Sequence, residues 1–146
     1  MLFLKKIRAD NYLKNFVSFC RKEYGESLVG IAIYGSYPWG YFDKKKSDYD
    51  IFVIFDTIIP TNKEEIKIKF PKISLQYFCT TKDLLRKVEE GHWSIYITLL
   101  KSARLLYYRK EYKNFLRKLK KIDFIEQLID TAAMQYKAKF EINVLK

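Results

Sequence analysis

The spacing of apolar positions changes several times along the chain, and each change marks an element. Leu13, Phe16, Val17 and Cys20 fall at i, i+3, i+4 and i+7. That stripe predicts an amphipathic helix from roughly Ala9 to Tyr24, with Asp10 or Asn11 able to cap its start and Gly25 ending it. Leu28–Tyr34 (LVGIAIY) is then an unbroken, β-branched apolar run, the pattern of a strand buried on both faces. Asp50–Asp56 (DIFVIFD) is a second such strand. Between them, residues 37–47 hold Pro38, Gly40 and the consecutive Lys44, Lys45 and Lys46. This stretch reads as a short helical turn followed by an exposed loop.

Pro60, Thr61 and Asn62 break the chain again. From Glu65 onward, IKIKF alternates apolar and basic residues and predicts a half-exposed strand, interrupted at Pro71. Ile73–Cys79 (ISLQYFC) is a further strand. Thr80 or Thr81 followed by Asp83 starts a helix that runs to about Glu90, where Gly91 stops it. Residues 92–102 place Trp93, Tyr96, Leu99 and Leu100 on one helical face. Arg104–Tyr108 (RLLYY) reads as a short strand and Glu111–Lys121 as a strongly basic helix. Phe124, Leu128, Ala132, Tyr136 and Phe140, spaced by four, predict a final helix from Asp123 to about Val144. Its apolar face can dock on the sheet, or serve a homodimer or another partner. The order gives an α/β (α+β) class: a small mixed β-sheet flanked by helices, with extra C-terminal helices. One domain spans 1–146, with a core at about 9–110 and a helical extension at about 111–146.

At 146 residues the chain can bury a sizeable core without staples. Hydrophobic residues at 49% exclude a disordered class. The 28 Lys and Arg against 17 Asp and Glu give a net charge of +11, which favours anionic partners such as nucleotides, nucleic acid or acidic surfaces. The opening MLFLKKIRAD puts apolar residues before its charges, the reverse of a signal peptide, and no apolar run approaches a membrane span. These features point to a cytoplasmic protein, away from the membrane, in which Cys20 and Cys79 are free thiols. One histidine and two cysteines without metal-ligand spacing argue against a structural zinc site.

The chemistry concentrates in two short motifs. Asp48 and Asp50 stand at i and i+2 entering the second strand, so their side chains share a face about 7 Å apart. Two hard carboxylates so placed suit Mg²⁺, or Mn²⁺, which take oxygen ligands and share their shell with substrate phosphates. Gly35-Ser36 closes the first strand, where glycine lets backbone approach a phosphate closely and the Ser36 hydroxyl adds a donor. The bland alternative, in which Ser36 caps a helix and the aspartates end a loop, accounts for each motif separately but not for both on adjacent strands.

These residues, GSYPWGYFDKKKSDYDIFVIF, resemble the signature of the polymerase-β-like nucleotidyltransferases, particularly their minimal single-domain members. The resemblance runs from about Leu28 to Lys110, including EGHWSIYITLLKSARLLYYRK, and Gly40 and Ser47 suit it too. It implies that Gly35 and Ser36 bind nucleotide phosphates and that Asp48 and Asp50 bind Mg²⁺ and are catalytic. The implied activity is transfer of a nucleoside monophosphate from ATP or another NTP to a hydroxyl of a protein or small molecule. Implied protein partners include a helical toxin, as in toxin–antitoxin pairs built on such a domain. The family's usual third carboxylate is missing: KISLQYFCT contains no Asp or Glu, and Ser74 or Gln76 stands at its place. Glu64 and Glu65 replace it only if the strand register is shifted. The alternative is a catalytically degenerate fold that binds a nucleotide, a partner or nucleic acid.

Other candidates have simpler readings. His92 beside Trp93 suits a cap or a packing residue. Lys44, Lys45 and Lys46 suit a solvated loop, or one that steers a triphosphate. The run Arg109–Lys121, with Tyr112 and Phe115 interleaved, can contact nucleic-acid phosphates, though no base-reading motif accompanies it.

Overall fold

The structure, a computed structural model, describes residues 6–122. A helix α1 (Asn11–Tyr24) precedes strand β1 (Leu28–Tyr34), and a single 3₁₀ turn at Tyr37–Trp39 leads towards β2 (Tyr49–Phe55). Helix α2 (Lys63–Lys69), β3 (Ile73–Thr80), α3 (Thr81–Glu89), α4 (Trp93–Ile97), β4 (Arg104–Tyr108) and α5 (Lys110–Lys120) follow. The four strands form one sheet in the order β3-β2-β1-β4. β1 runs antiparallel to β2 and β4, whereas β2 and β3 are parallel. A parallel neighbour needs a crossover, and α2 supplies it.

Helices cover both faces of the sheet. On one face α1 and α2 press Leu13, Phe16 and Ile66 onto Ile31, Ile33, Val53 and Phe55. On the other, Leu84, Val88, Leu99 and Leu116 cover Ala32, Phe52 and Ile54. Burial of each such side chain contributes about 1.5–3 kcal/mol. This is why β1 and β2 are apolar at every central position and show no two-residue alternation. Gly30 is required by packing: a Cβ there would lie 2.7 Å from the ring of the fully buried Tyr112, so α5 sits almost on the β1 backbone.

The elements fall close to their expected positions, with two corrections. IKIKF is not a strand; it forms most of α2 and the residue after it, Phe70. Ile66 and Phe70 are four apart and face the core, while Ile68 between them is 83% exposed. Glu64 and Glu65 in the first turn and Lys67 and Lys69 in the last complement the helix dipole, so the charge order favours helix over strand. The helix expected over residues 92–102 divides instead into α4 and a π-helical turn at Thr98–Ser102. The wider turn brings Ile95 and Leu99 into the core, leaving Trp93 and Tyr96 half-buried. Asp10 caps α1, accepting from the Leu13 N–H at 2.9 Å. Thr80 and Asp83 form a reciprocal capping box on α3. The final helix expected from Asp123 lies outside the described residues. Among the described residues no helix is long and apolar enough to cross a membrane.

Candidate functional site

Sheet register brings the two sequence motifs together. Asp50, the second residue of β2, pairs with Tyr34 at the end of β1 and with Ser74 on β3. Alternation along β2 sends Tyr49 into the core under α1 and Asp50 to the opposite face, beside Phe52. Asp48 lies just before the strand and is exposed. Gly35 follows Tyr34 with φ +76°, a conformation that disfavours every side chain. A Cβ on Gly35 would run into the Asp50 carboxylate, with Cγ only 3.2 Å away. The carboxylate therefore rests directly on the glycine turn.

The electrostatics of this corner are uncompensated. Burial, and then the neighbouring Asp48, push the Asp50 carboxyl above its ordinary value. Among the described residues neither carboxylate makes a hydrogen bond or ion pair, in a chain carrying 28 Lys and Arg. Two repelling hard carboxylates without a cationic side chain fit the donor set for Mg²⁺ or Mn²⁺, with waters and phosphate oxygens completing the shell. No group of three or more His, Cys, Asp or Glu able to hold a metal occurs among the described residues. On β3, where the third carboxylate is missing, Ser74 stands opposite Asp50. Glu64 and Glu65 do not replace it, because they stand in the first turn of α2, which packs on the sheet face opposite Asp50.

Ser36 does not cap the 3₁₀ turn that follows it, and its side chain makes no cap hydrogen bond. Its carbonyl accepts from the N–H groups of Trp39 and Tyr41 at 3.3 and 3.1 Å, which closes the turn, and among the described residues the hydroxyl has no partner.

Two residues of the site were not assigned together from sequence. The Tyr34 hydroxyl donates to Gln76 Oε1 at 3.0 Å, reaching across β2 from β1 to β3. The Tyr34 ring packs on Phe52 at 4.9 Å, and Phe52 stacks on Tyr77 at 4.4 Å, making an aromatic floor beside Asp50. Burial foremost, then the Asp50 charge, hold the Tyr34 hydroxyl above its ordinary value, so it remains a donor. The antiparallel β1–β2 register, which one sequence leaves open, was the missing signal.

The other candidates lie elsewhere. The turn at 43–47 is closed by the Ser47 N–H donating to the Asp43 carbonyl at 2.7 Å and exposes Lys44, Lys45 and Lys46. His92 occupies the N-cap position of α4 without a side-chain cap bond. Tyr112 and Phe115 are core residues, 1% and 2% exposed, so the basic run over α5 offers lysines to solvent but no aromatic face for stacking.

The sequence profile described as "Nucleotidyltransferase domain" matches residues 13–142. No curated protein matches the sequence. Among solved structures, one described as "Crystal structure of the toxin-antitoxin with AMP-PNP" is 15% identical, with a TM-score of 0.45, and the match covers 93% of this chain and 98% of that one.

Proposed function

The chain belongs to the nucleotidyltransferase domain family, and from that premise we propose that it transfers a nucleoside monophosphate from ATP or another NTP to a hydroxyl of a protein or small molecule. The observation carrying this reading is a pair of carboxylates that no described residue pairs with, Asp50 being seated on the Gly35 turn. Asp48 and Asp50 would hold Mg²⁺, which when bound offsets charge on the phosphates and on the departing pyrophosphate. Gly35 leaves room for a phosphate against bare backbone, and the free Ser36 hydroxyl donates to it. The acceptor oxygen bonds to the α-phosphorus as the bond to the bridging oxygen breaks, and pyrophosphate leaves with that electron pair. The acceptor proton leaves to water or to a carboxylate oxygen of Asp48 or Asp50 that the metal does not engage. Tyr34 and Gln76 fix the floor beneath them.

ATP labelled at the α-phosphate or at the γ-phosphate, incubated with the protein, Mg²⁺ and a cell extract, tests the reading. Transfer of the α label alone, lost in Asp48→Asn/Asp50→Asn, supports it. Transfer of the γ label would indicate a kinase instead. A second reading, a degenerate fold that binds nucleotide or partner without turnover, is favoured by Ser74 standing opposite Asp50 where a third carboxylate would be. It predicts no label transfer of either kind but retained nucleotide binding.

A further inference from the structure

The lysine turn lies between the two motifs and exposes Lys44, Lys45 and Lys46. Lys44 reaches the face of the sheet opposite Asp50, where a cavity of about 410 Å³ opens between the start of α1 and the start of β3. Its walls carry Arg8, Lys14, Lys44 and Lys72 around Tyr49, with Asp10 as the one carboxylate. Both Asp10 oxygens are engaged: one accepts from the Leu13 N–H at 2.9 Å, the other from the Tyr49 hydroxyl at 2.6 Å. Among the described residues none of the four cations pairs with a carboxylate. Lys72 instead spends one donor on the Lys44 carbonyl at 3.2 Å, which ties the lysine turn to the start of β3. Four cations around one concavity, set against the single charge of Asp10, repel one another, and the arrangement is relieved by a multivalent anion.

We propose that this cavity binds a compact oligophosphate, the di- or triphosphate group of a nucleotide or its inorganic counterpart, at a site separate from the Asp48/Asp50 pair. Convergence of the cations on one cavity suits a small, densely charged anion better than an extended polynucleotide, whose backbone is followed by a stripe of charge. The aromatic walls agree. Tyr49 is 4% exposed and stacks on Tyr12 at 5.2 Å and 9°, so Tyr49 offers no open face for a stacked base. The inference rests on this cavity and stands whether or not the Asp48/Asp50 site turns over.

Calorimetric titration in EDTA, which withholds divalent metal from the carboxylate pair, tests it with inorganic tripolyphosphate and with ATP. Lys14→Gln/Lys44→Gln removes two of the cations, and among the described residues neither side chain has a bond to lose. Exposed ion contacts are individually worth a few-fold in affinity, so the double variant is expected to bind about tenfold more weakly. Asp48→Asn/Asp50→Asn should bind as tightly as wild type. ATP binding more tightly than tripolyphosphate would identify a nucleotide as the source, and equal affinities an inorganic or unselective one. An equal loss in the control Lys82→Gln/Lys118→Gln, which changes the same net charge elsewhere, would overturn the proposal. So would absence of binding, or tighter binding of a single-stranded 12-mer displaced equally from all variants.

Discussion

Replacing Gly35 by alanine tests the contact on which the site is built. Two effects add. At φ +76° an alanine is in left-handed backbone, which costs about 1–2 kcal/mol, offset by about 0.4–1 kcal/mol from a less flexible unfolded chain. The backbone share is then about 1 kcal/mol. The new Cβ also meets the Asp50 carboxylate, with Cγ at 3.2 Å but Cβ at an ordinary 3.5 Å. The carboxylate must rotate away, at about 0.5–1.5 kcal/mol for an off-rotamer side chain. Urea denaturation should therefore show a loss of about 1.5–2.5 kcal/mol in Gly35→Ala. In an Asp50→Ala background the same change should cost only about 1 kcal/mol, because the obstructing carboxylate is gone. The displaced carboxylate is also a displaced metal ligand, so Mn²⁺ affinity should fall at least ~tenfold, a larger effect than the stability loss suggests. Equal costs in both backgrounds, together with unchanged Mn²⁺ affinity, would refute the argument that Gly35 exists to seat Asp50.

Asp50→Asn should raise Tm at pH 7. The folded state raises the Asp50 pKa, so its ionised form subtracts from stability above the unfolded value of 3.8; the gain should vanish as pH falls below 3.8, which thermal scans across pH would show. Saturating Mg²⁺ should stabilise wild type and leave Asp48→Asn/Asp50→Asn unmoved in the same assay. Gly30→Ala should destabilise by about 1–3 kcal/mol through overpacking against Tyr112, as read by chemical denaturation. Cys20 and Cys79, buried and pushed up to about 12 and about 11, should resist a thiol reagent in the native state and react within the unfolded one.

What the sequence disclosed follows from where the constraints lie. β1 and β2 are buried on both faces, so their boundaries were legible as unbroken apolar runs ended by Gly35 and Asp56. Helix α1 was legible because only one stripe is buried and Asp10 caps it. The segment IKIKF was misread because two-residue alternation over five residues also fits a helix with one buried isoleucine. The acid-to-base order across Lys63–Lys69 was the better signal. In the site, Gly35, Ser36, Asp48 and Asp50 were each identifiable, but the contact between Gly35 and Asp50 depends on the β1–β2 register, which pairing and not composition decides. The Tyr34–Gln76 bond needs a register across three strands, with a shift in the β2–β3 ladder between Asp50 and Phe52. The four-cation cavity joins residues from position 8 to position 72, a separation that no local pattern reports.

The most direct test of the central claim is the Mg²⁺-dependent part of ATP binding, measured by calorimetry in Mg²⁺ and in EDTA with wild type and Asp48→Asn/Asp50→Asn side by side. Wild type should bind ATP more tightly with Mg²⁺ than with EDTA, and the double variant should lose that increment while keeping its fold. Identical wild-type isotherms in the two buffers, or an increment that survives without both carboxylates, would contradict the account.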